Sequence, residues 1–415
     1  MASISEEGKA ESEESVVFAV VAARENVKAI KSHLAARGLF GKSISRLNDD
    51  TTSTTSFRIS TTIPFDPTTP PPPELAGYEL TTAPSATSSQ HPADPFQAFL
   101  HTHVADKTLL ATAPKRTSIY PPLLLLQSDA FASAGWRGYL SSHPDFLARL
   151  AAALKVTHIA RNAPITASDV MRSPSGLEFL FPPSSASAPS TTFDDALWVS
   201  TTQHGLYQTW APEHTMFSRG NIREKARVLS FAGVSGEEVA DLYAGIGYFV
   251  FPYLRAGARR VWCWEINPWS VEALRRGCVR NGWSVRVVPH SEEFGQDTGE
   301  QVVVFAEGNE NAVRRMEAAE RLRRMAHVNL GLLPSSKASW STAEQLVKTG
   351  GLVHVHENVG EHEVAAKTVE FVQSWSDIAA AAGKRDMKCE HVERVKTFAP
   401  GVLHCVFDIR VGESS

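Results

Sequence analysis

The stretch of this chain best suited to chemistry is Asp241-Leu242-Tyr243-Ala244-Gly245-Ile246-Gly247. Two glycines directly after a predicted strand let the backbone turn tightly and approach a ligand closely. A helix after them would aim free N–H groups at a carboxylate or phosphate. Eighteen positions beyond Gly247, Glu265 ends the next predicted strand, where an acid can accept from both hydroxyls of a ribose. Together these residues describe a site for an adenosine-bearing cofactor. The third glycine of a dinucleotide site is absent, since Phe249 and Val250 stand there, so S-adenosyl-L-methionine (AdoMet) is preferred over NAD. Two other clusters carry less. His354 and His356 at i, i+2 lack a third ligand nearby in sequence, and Cys263, Cys278, Cys389 and Cys405 form no CxxC pair. No metal is expected.

The elements that must position this site follow from the apolar spacing. From about residue 213 helices and strands alternate: Glu237–Ala244 as a strand, Phe249–Arg255 as a helix, Arg260–Trp264 as a strand, and Trp269–Asn281 as a helix stopped by Gly282. Val302–Ala306 and Leu352–His356 read as further buried strands. This rhythm predicts a doubly wound, mostly parallel sheet. His391–Phe398 and Val402–Val411, joined by Ala399-Pro400-Gly401, are too close for a crossover and must form an antiparallel hairpin. Asn221 is placed to cap a helix, with Glu224 reaching back to it.

Upstream, Val16–Val21 predicts a strand, and Val27, Ile30, Leu34 and Leu39 the stripe of a helix. Residues 50–95 are rich in Thr, Ser and Pro and are expected to be a flexible insertion, as is Pro182–Thr192. Short strands are expected at Ile159–Arg161, Leu177–Phe181, Leu197–Val199 and near Gly205–Tyr207. The expected division is an N-terminal α/β segment (1–49), the insertion (50–95), a smaller α/β accessory domain (96–212) and a catalytic domain (213–415).

Several segments resemble a group of enzymes that modify position 37 of tRNA. Met216-Phe217-Ser218-Arg219-Gly220-Asn221 with Glu224-Lys225, Asp241–Phe249 and Trp264-Glu265-Ile266-Asn267-Pro268 are similar to both its branches. These are the guanine-37-N1 methyltransferases and the wybutosine-synthesising aminocarboxypropyltransferases. Tyr243–Tyr248, Val328–Ser336, Leu352–Val359 and Phe398–His404 favour the second branch. The likeness covers 155–411 well, 16–46 loosely and 50–150 little.

The resemblance implies a class I methyltransferase-like (Rossmann-type) fold with an antiparallel C-terminal hairpin. It also implies transfer of the 3-amino-3-carboxypropyl group of AdoMet to C7 of 4-demethylwyosine in the anticodon loop of phenylalanine tRNA, releasing 5′-methylthioadenosine. Residue by residue, it places Ser218, Lys225 and Glu265 on AdoMet, with Asp241, Ala244, Gly245, Gly247 and Ile266 around them. The family's Gly-Asp-Asn stands here as Gly308-Asn309-Glu310, an amide in place of an acid, so Asn309 and Glu310 become the expected cofactor neighbours. Arg219, Asn221, Asn329, Pro334 and Asn358 are the expected substrate contacts. His356 and Glu357, at a strand end, are the candidates to accept the proton lost from the base carbon.

Composition narrows the alternatives. The 415 residues exceed one typical core, and 43% hydrophobic with 21% charged residues is ordinary for a soluble protein. No run of eighteen apolar residues exists to span a membrane. An N-terminus carrying Glu6, Glu7, Glu11, Glu13 and Glu14 is unlike a secretory or transit leader, so a cytoplasmic location is expected, with a monomer as the default. A net charge of −4 weighs against indiscriminate nucleic-acid binding. Candidate RNA-facing bases are Arg219, Arg223 and Lys225; Arg275, Arg276 and Arg280; and Arg314, Arg315, Arg321, Arg323 and Arg324. The competing readings are the guanine-37-N1 methyltransferase, told apart by its product, and a non-catalytic tRNA-binding protein, told apart by AdoMet binding.

Overall fold

The computed structural model describes residues 16–23, 25–47, 56–84, 94–162, 169, 171–174, 176–182, 190–381 and 385–414. They fall into two compact units, Met1–His103 and Val104–Ser415.

The first unit holds β1 (Val16–Ala23), α1 (Val27–Ala36), β2 (Phe40–Leu47), β3 (Ser56–Pro64), β4 (Glu79–Pro84) and α2 (Pro95–His103). Its sheet runs β2-β3-β1-β4, with β1 antiparallel to both neighbours. The expected helix stripe is present: Leu34 is buried, and Val27, Ile30 and Leu39 pack with Phe18, Val20, Ile59 and Leu75. The expectation of a flexible insertion at 50–95 needs correction, because β3 and β4 lie inside it. Its hydroxyls are not obstacles to burial. Thr61 Oγ1 donates to the Phe18 carbonyl at 2.7 Å and Ser60 Oγ to the Ser43 carbonyl at 3.1 Å, so both side chains are buried and satisfied. Residues 50–55 and 85–93 lie outside the described residues, as do 183–189 of the second expected insertion.

The second unit opens with α3 (Lys107–Ala111), β5 (Thr117–Tyr120), β6 (Leu123–Leu126), α4 (Ala134–Ser142), α5 (Phe146–Ala153), β7 (His158–Arg161) and β8 (Glu178–Phe181). The four strands form one sheet in the order β5-β6-β7-β8, and β9 (Val199–Gln203) pairs with β10 (Leu206–Trp210). Next come α6 (Ile222–Val228), β11 (Glu238–Asp241), α7 (Val250–Arg255), β12 (Arg260–Trp264), α8 (Pro268–Asn281), β13 (Val285–Pro289) and β14 (Val302–Ala306). The chain ends with α9 (Ala312–Ala318), β15 (Met325–Leu330), α10 (Trp340–Leu346), β16 (Val347–Gly360), α11 (Val364–Ala381), β17 (Arg385–Ala399) and β18 (Val402–Ser414). The eight-stranded sheet runs β13-β14-β12-β11-β15-β16-β18-β17. Its first six strands are parallel and the last two form the expected antiparallel hairpin.

Strand order reverses between β11 and β15, which opens a crevice above their C-terminal ends. Asn267 caps α8 by accepting from the Trp269 N–H at 2.9 Å, Pro268 occupies its first turn, and Gly282 closes it at φ 86°. The cap expected at Asn221 is not made; Glu224 instead turns inward to Arg227. The accessory and catalytic domains, expected at 96–212 and 213–415, are not separate in this unit, which begins at Val104 and whose parts share a core. Tyr120, Val199 and Trp210 pack with Ile246 of the glycine turn and Ala273 of α8. Among the described residues no helix is long and apolar enough to cross a membrane.

Candidate cofactor and substrate site

The glycine turn leaves β11 at Asp241. Gly245 at φ 54° and Gly247 at φ 91° lie in the left-handed region, and a Cβ on Gly247 would meet the Phe251 ring at 2.6 Å. Glu265, from the end of β12, clasps this turn. Its Oε2 accepts from the Gly245 N–H and its Oε1 from the Asn267 N–H, both at 2.8 Å. Burial pushes the Glu265 carboxyl up, while the N–H donors of Asn267 and Gly245 oppose it.

Asp241 is fully buried, and its Oδ1 accepts from Asn329 Nδ2 at 3.1 Å and from the Tyr243 N–H at 3.2 Å. Burial pushes its carboxyl up to about 7 against these two bonds. Its Oδ2 is buried without a partner. Ala244 contributes backbone, its N–H donating to the Trp264 carbonyl at 3.1 Å, and Ile266 is 41% exposed beside Glu265.

The departure at Asn309 has a physical account here. Its amide Nδ2 donates to the Leu242 carbonyl at 2.8 Å, and its Oδ1 accepts from Ser339 Oγ at 3.0 Å. Ser339 Oγ in turn meets Tyr243 OH at 2.5 Å. An aspartate could not donate to the Leu242 carbonyl. Glu310 is exposed, its carboxylate folded over Gly308, where a Cβ would fall 2.1 Å from Oε2.

The segment before α6 leans on the same turn. Tyr248 OH donates to the Met216 carbonyl at 2.5 Å and accepts from the Ser218 N–H at 3.2 Å. Lys225 is only 2% exposed: its Nζ donates to Gln208 Oε1 at 2.6 Å and Gln203 Oε1 at 2.9 Å, and sits over the Phe217 and Tyr248 rings. Burial lowers this ammonium to about 7. Ser218 Oγ donates to Asn221 Oδ1 at 3.4 Å, and Lys396 Nζ approaches both.

Arg219 is exposed and lines a cavity of about 660 Å³ with Arg116, Arg172, Tyr120, Trp210 and Phe217. Trp210 and Phe217 stack at 4.5 Å, and Tyr120 meets both edge-on, so a largely buried aromatic cluster forms one wall beside three guanidiniums. Arg172 also donates to the Leu333 carbonyl at 2.6 Å, tying the cavity to the loop before Pro334.

Pleating separates the two expected proton acceptors, because successive side chains of a strand point to opposite faces. His356 lies on the Phe249 side (ring centroids 5.0 Å apart), its Nδ1 bonded to His404 Nε2 at 3.0 Å and its Nε2 buried without a partner. Burial, then His404, keeps it well below the usual imidazole range. Glu357 shares its face with Val353, Val355 and Val359, which pack against α11, and burial raises its carboxyl.

Other expected residues take specific places. Asn329 faces Asp241 rather than an open cleft. Pro334 is exposed, and its carbonyl accepts from the Asn358 N–H at 2.9 Å, while Asn358 Oδ1 is buried without a partner. His354, weighed for metal binding, bonds His327 and Asp408.

Most of the expected RNA-facing arginines are engaged elsewhere. Arg275 and Arg276 pair with Glu272, Arg314 with Glu293, Arg321 with Glu238, and Arg323 with Glu344. Arg315 is fully buried against Glu307 and is corrected to a structural residue. Sequence reasoning missed Gln203, Gln208, Ser339 and Lys396; each acts from a separate element, so no local pattern marked it. Tyr248, directly after Gly247, did carry a signal.

This arrangement fits a cofactor with an adenosine and a charged amino-acid end. It offers a carboxylate at a strand end, a turn that no side chain obstructs, and buried polar atoms with unspent capacity at Asp241 and Asn358.

Residues 201–306 match the model of the TRM5/TYW2 methyltransferase domain. The chain is 44% identical over 327 residues to tRNA wybutosine-synthesizing protein 2 of Schizosaccharomyces pombe, covering 75% of each chain. With the Saccharomyces cerevisiae protein of the same name it is 37% identical over 294 residues, 62% of this chain and 60% of that one. Among solved structures, Pyrococcus horikoshii TYW2 in complex with MeSAdo superposes with a TM-score of 0.55 at 20% identity, over 77% of this chain and 98% of that one. The aTrm5 chain of a complex with tRNALeu gives 0.51 at 14% identity, over 95% and 100%. These two likenesses establish the fold, a class I methyltransferase-like sheet.

Proposed function

The chain belongs to the tRNA wybutosine-synthesizing protein 2 family, and from that premise we propose that it transfers the 3-amino-3-carboxypropyl group of AdoMet to C7 of 4-demethylwyosine at position 37 of phenylalanine tRNA. It is an AdoMet-dependent transferase. We further propose that it works in the cytoplasm as a monomer and grips the anticodon loop of its tRNA.

The observation that carries this reading is the Glu265 clasp on the Gly245 turn beside Asp241, set at the switch point of the sheet. AdoMet supplies a sulfonium whose three attached carbons are all electrophilic. The chain's own task is therefore to decide which carbon faces the base, by position and alignment. In this proposal Glu265 accepts from the ribose hydroxyls, and Asp241, Ile266, Asn309 and Glu310 border the nucleoside. Gly245 and Gly247, with Ala244 behind them, allow close approach. Ser218 faces the amino-acid end, and Lys225, expected there, instead supports this segment from behind through Gln203 and Gln208. Arg219, Pro334 and Asn358 surround the incoming base, with Asn329 behind them holding Asp241 and Asn221 between the base and the amino-acid end. Three arginines around one cavity, as at Arg116, Arg172 and Arg219, are suited to RNA phosphates.

Attack by the base carbon releases methylthioadenosine, and the carbon must then lose its proton. The candidates to accept it are His356, on the Phe249 face with Nε2 lacking a partner, and Glu357, whose Oε2 likewise lacks one and whose carboxyl burial raises.

The test is to incubate the protein with AdoMet and phenylalanine tRNA carrying 4-demethylwyosine and to identify the small product by mass spectrometry. Methylthioadenosine with the matching mass gain on the nucleoside is expected. S-adenosylhomocysteine would overturn the reading in favour of methyl transfer.

A further inference from the structure

Lys396 of β17 reaches across the sheet edge to the turn before α6. Its Nζ lies 3.4 Å from Ser218 Oγ and 3.5 Å from Asn221 Oδ1, both long contacts to uncharged oxygens. Among the described residues no carboxylate comes within ion-pair distance of it, although it is half-buried and burial lowers its ammonium. A half-buried cation with only weak neutral partners retains much of its capacity for an anion.

The chain keeps room for this side chain at one position. A Cβ on Gly220 would fall 2.4 Å from Nζ and 2.6 Å from Cδ, so the lysine lies directly over that glycine. The same turn is anchored to the cofactor loop through the Ser218 N–H and Tyr248 OH, and its next residue, Arg219, lines the aromatic cavity. Lys396 thus stands between the cofactor turn and the substrate cleft. The neighbouring cation does not compete for this place, since Lys225 is closed in by Gln203 and Gln208.

Resting on the function proposed above, we infer that Lys396, with Ser218 and Asn221, holds the carboxylate of the 3-amino-3-carboxypropyl group of AdoMet. In methyl transfer that carboxylate leaves with the spent cofactor; here it travels with the transferred group. A cation gripping it beside the substrate cleft would orient the γ-carbon rather than the methyl toward the base, which makes Lys396 a specificity-determining residue. The same cradle chemistry would suit an RNA phosphate, and the arms of the test separate the two sources.

The test compares calorimetric binding of AdoMet and decarboxylated AdoMet to the full chain, without tRNA, and in parallel the salt dependence of tRNA binding. Wild type should favour AdoMet at least tenfold; equal affinities would overturn the inference without any variant. Lys396→Gln should weaken AdoMet about tenfold and decarboxylated AdoMet little, leaving tRNA affinity and its salt slope unchanged, while Lys396→Arg should retain most of the discrimination. An equal loss for both ligands, or none for either, would overturn it. A shallower salt slope with AdoMet binding intact would assign the cradle to a phosphate instead. Because these readouts are binding constants, they stand apart from the product assay: S-adenosylhomocysteine from wild type would defeat the functional reading while leaving carboxylate recognition to be judged on its own numbers.

Discussion

Two polar clusters inside the same sheet are built to opposite rules. Above the ends of β11, β12 and β15, Asp241, Glu265, Asn309 and Asn329 hold the loops, yet Asp241 Oδ2 has no partner, and neither does Asn358 Oδ1 at the neighbouring strand. Under α6, by contrast, Glu224, Arg227, Asp408, His354 and His327 form a closed chain. Arg227 makes bidentate contacts to Glu224 and to Asp408, Asp408 accepts from His354 at 2.6 Å, and His354 meets His327 at 2.9 Å. Phe231 stacks over both imidazoles and Arg227 lies over Phe231. This closed network leaves none of its buried side-chain N or O atoms unmatched, and an unmatched buried group costs about 1–3 kcal/mol. A site that awaits a ligand keeps some unspent, and the rest of the fold carries that cost.

The largest expected effect comes from breaking the closed cluster. Asp408→Ala strands Arg227 and His354 in the interior and should cost about 3–5 kcal/mol in a denaturant melt, as for other broken buried pairs. AdoMet affinity of the folded fraction should stay within about threefold; a collapse of affinity at unchanged stability would show that the two clusters have been assigned the wrong way round.

Glu265→Ala should do the reverse. Loss of charge-assisted hydrogen bonds worth roughly 1.5–3 kcal/mol should raise the AdoMet dissociation constant about 10- to 100-fold by calorimetry, with a smaller effect on melting. Gly247→Ala should affect both readouts together, since the added Cβ is strained at φ 91° and collides with Phe251; about 1–3 kcal/mol is expected.

Smaller still, the clusters should respond to pH with opposite signs. Burial, then His354, lowers His327 to about 3, so the unfolded chain binds more protons below 6.5 and its stabilising effect fades as pH falls from 6.5 toward 3. Asp241, raised to about 7 by burial, contributes fully below 3.8 and loses its contribution as pH rises through 7. Stability measured against pH should therefore flatten on the acid side in His327→Gln and on the neutral side in Asp241→Asn. Smallest of all, Asn309→Asp exchanges a donor for an acceptor beside the Leu242 carbonyl and should cost about 1 kcal/mol, seen as a small drop in melting temperature.

How much of this was legible in sequence depended on whether a signal was local. The glycine turn, Glu265 at its strand end and the Asn267-Pro268 helix start each need only a few neighbouring residues, and each stands where expected. Residues 56–64 and 79–84 misled because composition counts hydroxyls as polar, whereas pairing with β1 gives Ser60 and Thr61 partners that composition cannot show. Asn221 and Glu224 have the spacing of a capping pair, but Arg227, itself anchored by Asp408, offered Glu224 a better-matched buried partner.

The chain's own order of residues determined the parallel strand–helix alternation, the antiparallel end and the ligand turn, because backbone geometry at glycine and apolar periodicity act over short range. Tertiary structure alone decided which face of β16 His356 occupies relative to Glu357, that Arg315 is buried against Glu307, and that Lys396 meets Ser218 and Asn221. Strand register and sheet order bring such groups together from 8 to 178 residues apart, and the desolvation that sets their charge exists only once the sheet has closed over them.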